Sequence, residues 1–299
     1  MKLAAIDIGS NAARLLIAES EHSDAGAVSF NKVILVRVPL RLGFDVFREG
    51  GLSTEKATAF LKTVMAYKLL LEVYGVKHLK ACATSAMRDA RNGTALLEQA
   101  RAETGIDIQL ISGQEEAGYI YENHIAEQLE KNKAYLYIDV GGGSTELTLF
   151  SKEKMSARAS FNIGTIRLLE KQVPDDEWEK MKTFVKQSVP AKEKVIAIGS
   201  GGNINKVFSL SGRKPGKSLS LELLKDYYKE LGSVSAEERM HYYALRPDRA
   251  DVIVPALQIY VSVMKWADAD EIYVPRIGLV DGLIQALYRE VGGEAPAEQ

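Results

Sequence analysis

Residues 135–150 read Tyr135-Leu136-Tyr137-Ile138-Asp139-Val140-Gly141-Gly142-Gly143-Ser144-Thr145-Glu146-Leu147-Thr148-Leu149-Phe150. An apolar run from Tyr135 to Val140 carries one carboxylate near its end. Three glycines follow, then a second apolar stretch from Leu147 to Phe150. This is the syntax of strand, tight turn, strand. The chain opens in the same way. Leu3 to Ile8 is apolar around Asp7, Gly9-Ser10-Asn11 turns the chain, and apolar residues resume from Ala12 to Ala18. A shift of 132 residues carries Ile6-Asp7-Ile8-Gly9 onto Ile138-Asp139-Val140-Gly141 and Leu15 onto Leu147. We read an internal duplication. It predicts two related domains, 1–126 and 127–299, meeting in the polar stretch Glu127 to Lys133.

Working outward, strands alternate with helices, which is the pattern of an α/β architecture. Val28 to Val38 is a third strand, rich in β-branched residues. Ser53 to Tyr74 has apolar residues at helical spacing and stops at Gly75. Leu79 to Ala83 and Ile106 to Ile111 read as strands, with a helix over Thr94 to Thr104 between them. Ser112 has the chemistry of a helix N-cap before Glu115-Glu116-Ala117, and the helix is expected to run to about Leu129. In the second half, Met155 to Phe161, Val195 to Ile198 and Glu271 to Val274 read as strands. Helices are predicted over Thr165 to Lys171, Asp176 to Val189, from Ile204, and over Leu221 to Leu231, Ala236 to Tyr243, Val252 to Trp266 and Leu279 to Glu290. The tail from Gly292 to Gln299 is expected to fray.

The chain has 299 residues, 38 basic and 40 acidic, for a formal charge of −2. That balance argues against a globally basic nucleic-acid binder and against an acidic disordered tail. Hydrophobic residues make up 46 % and charged residues 26 %, a globular composition. No apolar run reaches the ~18 residues of a membrane span. The opening Met1-Lys2-Leu3-Ala4-Ala5-Ile6-Asp7 meets a carboxylate too early for a signal-peptide core. Cys82 is the only cysteine, so there is no intrachain disulfide, and His22, His78, His124 and His241 have no metal-ligand spacing. A reducing, cytoplasmic location is expected, with neither nucleic acid nor membrane as partner.

Three glycine-rich turns follow strands: Gly9-Ser10-Asn11, Gly141-Gly142-Gly143-Ser144-Thr145 and Gly199-Ser200-Gly201-Gly202-Asn203. Lacking Cβ atoms, such turns let a phosphate approach backbone N–H groups. One alone would be an ordinary hairpin. Three, two of them preceded by Asp, point to anion binding. None is a P-loop, because no Lys follows in the required place, and none has Rossmann spacing. Asp7 and Asp139 either satisfy turn amides or hold magnesium beside bound phosphates. Glu146 is either a solvated strand residue or a second carboxylate on the same ion. Glu115 and Glu116 open a helix, where compensation of the helix dipole suits Glu115. One of the two could instead be a general base, and sequence position alone does not choose. Arg14, Arg88 and Arg167 are phosphate clamps or ordinary ion pairs. Cys82 reads as inert core, and Tyr119, Tyr121, Tyr242 and Tyr243 as core or interface.

Taken together these motifs resemble the exopolyphosphatase and guanosine pentaphosphate phosphatase family. The matching stretches are Ala5-Ile6-Asp7-Ile8-Gly9-Ser10-Asn11, Thr84-Ser85-Ala86-Met87-Arg88-Asp89-Ala90, Ile111-Ser112-Gly113-Gln114-Glu115-Glu116-Ala117, 138–147 and Gly199-Ser200-Gly201-Gly202-Asn203. Arg246-Pro247-Asp248-Arg249-Ala250-Asp251 and Gly278-Leu279-Val280-Asp281-Gly282-Leu283 also fit. The resemblance implies two ribonuclease-H-like domains of the actin-like ATPase superfamily facing a cleft. It implies magnesium-dependent removal of terminal phosphate from inorganic polyphosphate or guanosine pentaphosphate. It places the catalytic base on Glu116, the metal-site carboxylates on Asp139 and Glu146, and the phosphate-contacting arginine on Arg88.

The turn residues Gly9, Ser10, Asn11, Gly141, Gly142, Gly143, Ser144, Thr145, Gly201 and Gly202, with Arg14, complete the expected phosphate contacts, and Asp7 is a third expected metal carboxylate. Three departures stand out. Ala12 replaces a usual Ser, Gly118 replaces a common Arg, and the chain resembles the short two-domain members. In a homodimer a second copy would supply the surface that longer members gain from extra domains. Two other classes are kept open, a sugar or acetate kinase of the same superfamily and a catalytically weak sensor of guanosine nucleotides or polyphosphate.

Overall fold

The computed structural model describes residues 1–22, 28–121, 133–151, 154–190, 193–275 and 277–292. Two compact units emerge: Met1–Asn123 with Gly278–Gln299, and His124–Ile277. The first unit begins with β1 (Lys2–Ile8), β2 (Ala13–His22) and β3 (Val28–Val38). It continues with α1 (Leu42–Glu49), α2 (Thr54–Val73), β4 (His78–Ala83), α3 (Ser85–Asp89), α4 (Gly93–Thr104), β5 (Ile108–Leu110) and α5 (Gly113–Tyr121). Its sheet order is β3-β2-β1-β4-β5. The β1–β2 and β2–β3 pairs are antiparallel, and the β1–β4 and β4–β5 pairs are parallel. Every residue of β1 after Lys2 is buried, as the near-continuous apolar sequence of a central strand requires.

The second unit holds β6 (Ala134–Val140), β7 (Thr145–Ser151), β8 (Lys154–Phe161), α6 (Thr165–Leu169), α7 (Glu177–Ser188), β9 (Val195–Ser200) and α8 (Gly202–Leu210). Then come β10 (Leu219–Ser220), α9 (Leu221–Gly232), α10 (Ala236–Tyr242), α11 (Pro247–Ala250), α12 (Ile253–Trp266) and β11 (Glu271–Tyr273). Read from its β8 edge, the sheet runs β8-β7-β6-β9-β11-β10. The first five strands repeat the order and the directions of the first sheet. Even the irregularities agree. The register shifts between Ile17 and Ala18 in the first unit and between Leu149 and Phe150 in the second, 132 residues on. A repeated strand order with a repeated bulge is the structural signature of the duplication.

The domain division departs from the expected one at its C-terminal end. Helix α13 (Leu279–Glu290) belongs to the first unit. Its apolar face, Leu279, Val280, Leu283, Ile284 and Leu287, packs with Leu3, Ala5, Leu16, Cys82 and Ile111. That face would be exposed to water without these partners, which fixes its assignment. The other expected boundary, 126/127, and the stretch Glu127 to Asn132 fall outside the described residues, as does the far end of the helix expected to reach Leu129. The tail from 293 is also outside them.

Two described helices of the first unit, α1 and α3, carry too weak a signal to be read from sequence. Helix α1 has eight residues and begins after Arg41, which has a left-handed backbone (φ 55°) and gives no side-chain cap. Helix α3 has five residues, too few to show a period. Among the described residues no helix is long and apolar enough to cross a membrane.

Candidate active site

In the first unit the chain leaves β1 at Ile8 and turns through Gly9–Ala12, closed by the Gly9 N–H donating to the Ala12 carbonyl (3.1 Å). A Cβ on Gly9 would lie 3.2 Å from that oxygen, so glycine fits the turn. The turn is held on two sides. The Gly43 and Arg41 N–H groups donate to the Ser10 and Asn11 carbonyls, and the Ser10 and Ser85 hydroxyls share a hydrogen bond of 2.8 Å.

Asp7 sits just before the turn, 2 % exposed. Its cross-strand partner is Arg14, whose Nη1 donates to Asp7 Oδ2 at 2.6 Å. Burial raises the Asp7 carboxyl above its ordinary range, and the charge and hydrogen bond of Arg14 pull it part of the way back. Both residues were expected at the site, Asp7 on a metal and Arg14 on a phosphate. Here they satisfy each other, because antiparallel pairing sets them opposite on one face of the sheet.

Arg88, on α3, donates from Nη1 to the Ile111 carbonyl at 2.9 Å. Its Nε lies 3.8 Å from Asp89, and Nη2 has no protein partner among the described residues. Arg88 therefore ties α3 to the chain entering α5 and keeps one edge of the guanidinium available. Helix α5 gives Glu115 and Glu116 different surroundings. Glu115 closes a capping box: its Oε2 accepts from the Ser112 N–H and hydroxyl, both at 2.8 Å, and its N–H donates to Ser112 Oγ. These bonds hold the Glu115 carboxyl below its usual range. Glu116 is half-buried, and its charge, after burial and Asp7, helps raise the Cys82 thiol. Cys82 is the register neighbour of Asp7, so Glu116 lies towards the same strand ends.

In the second unit the equivalent turn closes identically, the Gly141 N–H donating to the Ser144 carbonyl at 3.0 Å. The start of α6 packs against it. Thr165, Ile166 and Arg167 donate backbone N–H groups to the Gly141 and Gly142 carbonyls, and a Cβ on Gly164 would lie 2.4 Å from Gly142 O. Arg167 Nε donates to the Gly143 carbonyl, so this arginine braces the loop. Ser144 is buried. Thr145 is fully buried and its hydroxyl donates to the Ile163 carbonyl, a structural bond where a phosphate contact was expected.

Asp139 and Glu146 are direct cross-strand partners in the β6–β7 hairpin. Opposite residues of an antiparallel pair project to the same face, with Cβ atoms ~5 Å apart. Glu146 is 3 % exposed and accepts from Ser160 Oγ at 2.8 Å. Two carboxylates set side by side in this way could hold a divalent cation. An all-oxygen donor pair suits magnesium.

Gly201 and Gly202 open α8. Gly201 has φ +107°, and a Cβ there would meet Val140 O at 3.1 Å and Asp139 Oδ1 at 3.2 Å. Gly202 lies under the Arg249 guanidinium, which a Cβ would displace, and Arg249 Nη1 reaches Asn203 Oδ1 at 3.2 Å. Tyr260, fully buried, donates its hydroxyl to the Ser200 carbonyl, and burial and then the Asp139 charge raise its own ionisation well above normal. Arg249 and Tyr260 were not among the expected site residues. The paired glycines hinted at a close approach, but nothing local says which side chain makes it.

A family model described as the Ppx/GppA phosphatase family matches residues 21–290. The chain is 36 % identical over 173 residues to a bifunctional 3-dehydroquinate synthase/phosphatase of Fusobacterium nucleatum, covering 56 % of this chain and 26 % of that one. It is 24 % identical to exopolyphosphatase 1 of Mycobacterium tuberculosis, covering all of this chain and 92 % of the relative. Among solved structures, an Aquifex aeolicus Ppx/GppA family member superimposes with a TM-score of 0.76 at 25 % identity, covering 98 % of this chain and 99 % of that one.

Proposed function

This chain belongs to the Ppx/GppA phosphatase family, and from that premise we propose a magnesium-dependent hydrolase that releases terminal orthophosphate from inorganic polyphosphate or guanosine pentaphosphate. The observation that carries this is the carboxylate pair Asp139–Glu146 flanking the Gly141–Ser144 turn. It joins a demand for a divalent cation to a glycine turn suited to phosphate.

In this reaction a water oxygen attacks the terminal phosphorus, and the bridging P–O bond to the penultimate phosphate breaks. The products are orthophosphate and a chain one unit shorter. Glu116 orients that water and accepts its proton. Glu115 cannot share the task while its carboxylate closes the cap. The available edge of Arg88 binds phosphate oxygens. Asp139 and Glu146 would hold the magnesium, which would supply charge compensation for the transferred group and the leaving oxygen. The backbone of the Gly141–Ser144 turn suits the approach of the polyanion.

The test is orthophosphate release with magnesium from short polyphosphate, long polyphosphate, guanosine pentaphosphate and ATP. Release from at least one of these is expected, and Glu116→Gln should lower turnover by roughly 10²–10⁴-fold with binding retained. Near-normal turnover in that variant removes the base from Glu116. Tight binding with no release from any substrate makes the chain a sensor, and ATP consumption that needs an acceptor makes it a kinase.

A further inference from the structure

Ser200 ends β9, is 2 % exposed, and its Oγ has no hydrogen-bond partner among the described residues. A buried hydroxyl left unpaired is destabilising, so its retention calls for a reason. Register supplies one. Ser200 is the parallel neighbour of Asp139, Asp139 is the antiparallel neighbour of Glu146, and Glu146 is the neighbour of Ser160. The four side chains form one row across one face of the sheet, two carboxylates with a serine at each end.

The two ends differ. Ser160 donates to Glu146, whereas Ser200 makes no such bond to Asp139. The backbone of Ser200 is nonetheless fixed for one. The Tyr260 hydroxyl holds its carbonyl, and the turn at Gly201 runs close enough to Asp139 that a Cβ there would lie 3.2 Å from Oδ1. In the first unit the position equivalent to Ser200 is Cys82, a weak donor, beside an Asp7 already paired with Arg14.

We propose that Ser200 is a positioning residue for the metal carboxylate Asp139. When a divalent cation takes one oxygen of Asp139, the Ser200 hydroxyl donates to the other and fixes the carboxylate plane, as Ser160 does for Glu146. Carboxylates that ligate metals are themselves hydrogen-bonded, and losing such a partner weakens metal binding about 10–100-fold. The inference rests on Asp139 and Glu146 holding the cation, and the experiment separates the two.

Mn²⁺ binding to the full chain is measured by the electron paramagnetic resonance of free Mn²⁺, with Mg²⁺ as competitor, alongside the melting temperature without metal. Wild type should bind, and Asp139→Asn should not. Ser200→Ala and Ser200→Cys should bind about 10–100-fold more weakly with the metal-free melting temperature unchanged or raised, because an unpaired hydroxyl has been removed. Ser200→Thr, which keeps the donor, should recover most of the affinity.

Binding by Ser200→Ala and Ser200→Cys within about twofold of wild type, well inside the loss expected of a lost partner, overturns the positioning role while leaving the Asp139 site standing. A lowered metal-free melting temperature with unchanged affinity also overturns it, because the hydroxyl then serves the fold. Absence of Mn²⁺ binding in wild type, or undiminished binding in Asp139→Asn, removes the metal site and this inference with it.

Discussion

The two β-hairpins that begin the two sheets share strand order, turn closure and register, yet treat the equivalent aspartate in opposite ways. In the first unit the residue opposite Asp7 is Arg14, and the pair is a closed 2.6 Å ion bridge. In the second the residue opposite Asp139 is Glu146, a second carboxylate. One backbone thus sets an aspartate opposite an arginine in one copy and opposite a glutamate in the other. The frame is shared, and on the proposed function a single cross-strand position decides whether a cation comes from the chain or from solution. On that proposal Asp7 is the structural member of the pair of aspartates, and Asp139 the functional one.

The most direct way to break this comparison is to make the second hairpin like the first. Glu146→Arg sets a guanidinium opposite Asp139, as Arg14 stands opposite Asp7. The protein should stay folded, because the first unit hosts that pair in the same register. Divalent-cation binding and magnesium-dependent turnover should fall by more than about 10²-fold, beyond the loss expected for a mere outer partner of a metal ligand. Metal titration and phosphate release measure both. A Glu146→Arg protein that still binds the cation and turns over would end the assignment of opposite roles.

The reverse intervention is smaller. Arg14→Met leaves Asp7 buried without its cation, a change that costs about 3–5 kcal/mol when the carboxylate must stay charged. Protonation relieves part of this. The sign follows from Asp7's carboxyl already lying above its ordinary range in the fold and rising further without Arg14. The unfolded chain loses its proton first as pH rises, so the stability deficit grows above the ordinary carboxylate pKa of ~4 and shrinks below it. Urea unfolding at neutral and acid pH reads this directly. An equal loss at both would mean that Arg14 acts through packing.

Much of the frame was legible because its signals are local. The strand–glycine–strand stretches, the Asp before each turn and the Ser112 cap each lie within a few consecutive residues. Pairing a loop with a distant side chain is a different matter. Arg249 on Gly202 and Tyr260 on Ser200 meet only because α11 and α12 return to the end of β9, and no local pattern encodes that return. For the same reason Arg14 and Thr145 were expected to face a ligand. Their residue types suit phosphate, and only the fold shows Arg14 taken by Asp7 and the Thr145 hydroxyl by the Ile163 carbonyl. The placement of α13 in the first unit was hidden too, since an amphipathic helix states that it needs a partner without saying which.

The smallest effect concerns the helices that follow the last parallel strand of each repeat, α5 after β5 and α13 after β11. In α5 the cap is reciprocal, with Ser112 and Glu115 exchanging backbone and side-chain bonds. In α13 the N-cap residue is Gly278, so only one direction remains, the Gly278 N–H donating to Asp281 Oδ2 at 2.8 Å. Ser112→Ala removes the side-chain half of the α5 box and should cost about 1 kcal/mol. The remaining Ser112 N–H to Glu115 bond would leave α5 capped as α13 is. If that single bond suffices, the helix stays formed, Glu116 keeps its place, and turnover changes far less than in Glu116→Gln. The charged half has its own pH signature. Glu115's carboxyl is held below its usual range, so its contribution is present at neutral pH and fades as pH falls through that lowered value. A Ser112→Ala protein of near-native stability that loses turnover as fully as Glu116→Gln would show that the box fixes the base itself and not merely the helix that carries it.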